Sequence, residues 1–74
     1  MTPNEFAEVF IASIECQPAL VLPSEELGRL LSVLPVIGGG AGWIVVRADG
    51  MIVRLTAHAG NWIAEHLVVR GRRE

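Results

Sequence analysis

The side chains in this sequence that could carry chemistry are few and scattered. Histidine is the side-chain type that changes charge near neutral pH, and the chain has two, His58 and His66. Cys16, Asp49 and Glu65 are the remaining candidates for metal ligands or catalytic partners. Their spacing matches no metal-binding pattern. A nucleophilic triad needs a Ser or Cys beside a His and an acid, and only Cys16 with one histidine offers a start. The reading of these residues is therefore structural: Cys16 as a small buried apolar residue, both histidines at helix or loop surfaces, and Asp49 as a turn former. No catalytic residue, metal or cofactor is expected.

Gly38-Gly39-Gly40-Ala41-Gly42 suggests a phosphate loop, but the P-loop pattern ends in Lys followed by Ser or Thr, and the chain contains no lysine. The run also precedes a strand pattern, whereas a dinucleotide loop follows one and opens a helix. The glycines are read as a connection. All six basic residues are Arg. Residues 1–28 carry a local charge of −5 and residues 29–74 one of +3. Opposite signs in the two parts favour an internal or subunit-to-subunit match over a broad nucleic-acid surface.

The elements that must position these residues follow from caps and periodicity. Thr2-Pro3-Asn4-Glu5 supplies a cap hydroxyl, a proline in the first turn and the glutamate of a capping box. Phe6, Phe10 and Ile14 recur at spacings of four, with Val9 and Ala7 or Ile11 beside them, which predicts a helix over about 3–16. Pro18 stops it, and Ala19–Leu22 is expected as an extended linker or brief edge strand. Ser24 is read as the cap of a second helix over about 24–34, with Leu27, Leu30, Leu31 and Leu34 forming its stripe. Residues 38–42 are the glycine-rich connection.

Residues 43–56 carry the strongest hairpin signal, centred on Asp49-Gly50, the dipeptide preferred in a type I′ turn. A two-residue turn sets Ala48 opposite Met51, Val46 opposite Val53 and Ile44 opposite Leu55 on one wholly apolar face. The other face then holds Trp43, Val45, Arg47, Ile52, Arg54 and Thr56. A one-residue slip would bring arginines into the core. Residues 60–69 fit either a helix capped by Asn61, the preferred reading, or a strand following a Gly60-Asn61 turn.

The expected fold is thus α+β: a single domain of two N-terminal amphipathic helices packed on an antiparallel hairpin, with a third helix, or third strand, at the C-terminus. A single cysteine excludes an intrachain disulfide and points to a reducing, cytoplasmic setting, and the acidic N-terminus does not read as a secretory signal. The uncharged stretch Leu30–Val46 is interrupted by Pro35 and the glycines, so no membrane span is expected.

For function, 51% apolar residues in a chain this small predicts leftover hydrophobic surface. Trp and Arg are enriched at binding hot spots, which makes Trp43, Val45, Arg47, Ile52 and Arg54 the candidate protein-binding residues. The first expectation is a non-enzymatic protein-binding module that also self-associates as a homo-oligomer. Its finest form is a small inhibitor masking a larger complex, of the phage-borne anti-CRISPR kind. The alternative is a nucleic-acid-binding regulator using the arginine-bearing hairpin. A winged-helix form of it lacks a basic recognition helix, because the second helix offers only Arg29. A small enzyme or metal-binding protein ranks third.

Overall fold

The computed structural model describes residues 2–67. Its elements are helix α1 (Pro3–Cys16), strand β1 (Ala19–Pro23), helix α2 (Ser24–Leu31) and strands β2 (Val36–Gly40), β3 (Trp43–Ala48), β4 (Met51–His58) and β5 (Asn61–Leu67). The strands form one antiparallel sheet in the order β1-β5-β4-β3-β2. Two helices on a five-stranded antiparallel sheet replace the expected two helices on a hairpin. The C-terminal element, for which the sequence reading prefers a helix with a strand as the alternative, is strand β5, and Ala19–Pro23 and Val36–Gly40 are the two edge strands.

Local chemistry explains α1. The Thr2 hydroxyl accepts from the Glu5 N–H at 3.2 Å and Glu5 Oε1 accepts from the Thr2 N–H at 2.8 Å, closing the capping box. Ala7, Phe10 and Ile14 are its buried residues, while Val9, expected beside them, is exposed. Helix α2 departs from expectation at both ends. Its cap position is Pro23, and the Ser24 hydroxyl instead donates to the Gly60 carbonyl at 2.7 Å, tying the helix start to the β4–β5 turn. The chain leaves the helix after Leu31 and turns through residues 32–34, so Leu34 reaches the core from a turn.

The glycine-rich stretch is the largest correction. Gly38, Gly39 and Gly40 pair with Val45, Ile44 and Trp43, and only Ala41-Gly42 forms a turn. Glycine is a poor strand former, but β3 offers a free hydrogen-bonding edge and the short turn keeps the segment beside it. The β3–β4 register has Ala48 opposite Met51, Val46 opposite Val53 and Ile44 opposite Leu55, as the Asp49-Gly50 turn implies. Asp49 and Gly50 both have positive φ, of 50° and 86°, as a type I′ turn requires. The β4–β5 connection repeats this geometry with Ala59 and Gly60 at 51° and 84°. The turn therefore lies one residue before the Gly60-Asn61 position considered in the sequence.

One face of the sheet holds the core. Val46, Ala48, Val53, Leu55 and Ala64 are fully buried there, with Leu22 and Met51, against Ala7, Phe10 and Ile14 of α1 and Leu27 and Leu30 of α2. The described residues contain no helix long and apolar enough to cross a membrane.

Candidate functional site

Because side chains alternate along a strand, burying Val46, Val53 and Leu55 sends their neighbours to the opposite side. The pairings assemble that side into rows. One runs Val21, Ile63, Thr56, Trp43, Gly40, and the next runs Ala19, Glu65, Arg54, Val45, Gly38. A third places Leu67, Ile52 and Arg47 together. All five sequence-selected residues lie on this face, which neither helix covers: Trp43, Arg47 and Arg54 are exposed, Val45 and Ile52 half-buried.

The structure changes the role of one of them and adds others. Arg54 Nη2 lies 2.9 Å from Glu65 Oε1, a cross-strand ion pair with both side chains nearly half exposed. The guanidinium is thus already partnered, and its contribution to stability is small at such exposure. Val21, Ile63 and Leu67 extend the apolar part of the face on either side of the pair. Val21 is 63% exposed and Trp43 40%. Ile63 and Leu67 escape a sequence reading that prefers a helix over residues 60–69, and Val21 joins the face only through its pairing with Ile63. The sequence signal for the strand is the Gly60-Asn61 turn dipeptide before it, since apolar and polar residues do not alternate through Trp62–Leu67.

Trp43 has a defined seat. A Cβ added at Gly40 would lie 2.8 Å from Trp43 Nε1, so the indole rests on the bare backbone of its cross-strand neighbour. Trp43, Arg54 and Thr56 line an open depression of about 240 Å³. A second depression, at the end of the sheet, has Glu8, Arg47 and Asp49 among its lining residues.

The residues weighed for catalysis are dispersed over the fold. Cys16, expected to be buried, is instead exposed because it falls in the last turn of α1; His58 ends β4, and His66 is half-buried on the helix-covered side opposite Val53. Among the described residues no three His, Cys, Asp or Glu side chains group closely enough to hold a metal ion. Arg70, Arg72 and Arg73, which would add to a nucleic-acid surface built on the hairpin arginines, lie outside the described residues. Comparison with family models, curated proteins and solved structures finds no match.

Proposed function

We propose that this chain is a non-enzymatic protein-binding module whose contact surface is the open face of the sheet. The observation that carries the reading is the composition of that face. Apolar Val21, Ile63, Trp43, Val45, Ile52 and Leu67 surround a neutralised Arg54–Glu65 pair. Protein interfaces show this pattern: an aromatic and aliphatic centre in which charge is paired. A nucleic-acid surface needs unpaired cations in excess, and among the described residues Arg47 is the one arginine of this face outside the ion pair. The finer expectation, an inhibitor masking a larger complex of the anti-defence kind, is one form such a module takes. No feature of the face selects it over another protein partner.

The test compares proteins crosslinked to the wild-type chain, to Trp43→Ala and to the opposite-side control Val9→Ala, quantified by mass spectrometry in candidate host lysates. Capture that survives Val9→Ala and falls at least about tenfold with Trp43→Ala supports the reading, since loss of a hot spot costs 2 kcal/mol or more. A capture profile identical for all three chains overturns it, as does salt-sensitive retention of nucleic acid in place of protein.

A further inference from the structure

The two edges of the sheet are built differently. Strand β1 ends in Pro23, which has no N–H to offer, follows Pro18, and packs against both helices. Strand β2, Val36-Ile37-Gly38-Gly39-Gly40, is exposed along its whole length and packs mainly against β3. Pro35 precedes it as Pro18 precedes β1, but within its length it bears no charge and no proline, two devices by which proteins block an open edge. Three consecutive glycines also leave the main chain unshielded by side chains, and Val36 and Ile37 are 52% and 47% exposed. The strand's one irregularity, the bulge between Val36 and Gly38, falls at its start and leaves Gly38–Gly40 in register with β3.

We infer that β2 pairs antiparallel with β2 of a second copy of this chain, joining two five-stranded sheets into one continuous sheet. Two features favour a second copy over another strand. An antiparallel edge is self-complementary about a two-fold axis, so each donor row meets an acceptor row without further design. A two-fold also sets residues near the axis against their own copies, which penalises any charge there, and Leu30–Val46 contains none. The dimer carries two open faces side by side. It rests on the edge alone and does not depend on what those faces bind.

Pairing of two short strands is a small interface, so dissociation in the micromolar range is expected. Sedimentation equilibrium of the full chain should move from 8.0 kDa toward twice that mass as concentration rises. Ile37→Glu should weaken the dimer at least about tenfold by setting like charges about the axis, and added salt should recover part of the loss. Ile37→Lys repeats the test with the opposite sign. Circular dichroism and the melting temperature show that each variant is folded. Independently of any variant, hydrogen exchange on the wild type should show protection of main-chain amides within Val36–Gly40 that fades on dilution. Partner capture by a folded monomeric Ile37→Glu would be retained, which separates failure of the edge from failure of the open face. The inference is overturned by a wild-type chain that stays at 8.0 kDa. It is equally overturned by a dimer that persists in both Ile37 variants, or by one abolished by Arg54→Ala or Ile63→Ser while Ile37→Glu leaves it intact.

Discussion

Val53 and Arg54 are adjacent in sequence and opposite in environment, and substituting each in turn tests the architecture from which the open face is derived. Val53 is fully buried between Val46 and His66 of the neighbouring strands. Replacing it with Asp removes a buried side chain worth about 1.5–3 kcal/mol. If the new carboxyl escapes ionisation by taking a proton, an unsatisfied buried polar group still costs about 1–3 kcal/mol. The sum, about 3–6 kcal/mol, compares with a total stability of about 4–11 kcal/mol for a domain of this length. Val53→Asp should therefore lose a large share of the stability of the domain at neutral pH, about 3–6 kcal/mol. Arg54→Ala removes one half-exposed ion pair with Glu65, worth at most about 1 kcal/mol. Urea denaturation followed by circular dichroism measures both. Val46→Asp, whose cross-strand neighbours are Val53 and Val36, provides a companion without an ionisable residue opposite. It should lose at least as much as Val53→Asp, where His66 can partner the carboxylate. A folded Val53→Asp beside an unfolded Arg54→Ala would mean that the two faces of β4 are exchanged, and the proposed contact surface would fall with them.

Gly40→Ala should force the indole of Trp43 off its seat, because the added Cβ lies 2.8 Å from Nε1. The expected result, measured in a Trp62→Phe background, is a shift in Trp43 fluorescence with a stability loss of about 1 kcal/mol, the low end of overpacking costs; unchanged emission would refute the contact. Ala59 occupies the left-handed region at φ 51°, where a Cβ is unfavourable by about 1–2 kcal/mol. Ala59→Gly should accordingly raise the urea midpoint, with a net gain of about 0.5–1 kcal/mol after the greater chain entropy of glycine is subtracted. A lower midpoint would contradict the turn geometry.

What the sequence determines by itself is local. The capping box of Thr2 and Glu5, the α1 stripe of Phe10 and Ile14, and the β3–β4 register around Asp49-Gly50 each depend on residues a few positions apart, whose preferences agree without help from the rest of the chain. That register was enough to place Trp43, Val45, Arg47, Ile52 and Arg54 on one side. The tertiary structure decided whatever depends on a partner strand. Gly38–Gly40 has little strand preference of its own and becomes β2 because β3 has a hydrogen-bonding edge to fill. Asn61–Leu67 is short enough for its apolar residues to fit a helical or an alternating pattern, and pairing with both β4 and β1 selects the strand. Ser24 gives up its expected capping role because Gly60, distant in sequence, brings a carbonyl to its hydroxyl. Glu65 meets Arg54 once β4 and β5 pair across the Ala59-Gly60 turn, a local contact that a helical reading of residues 60–69 conceals.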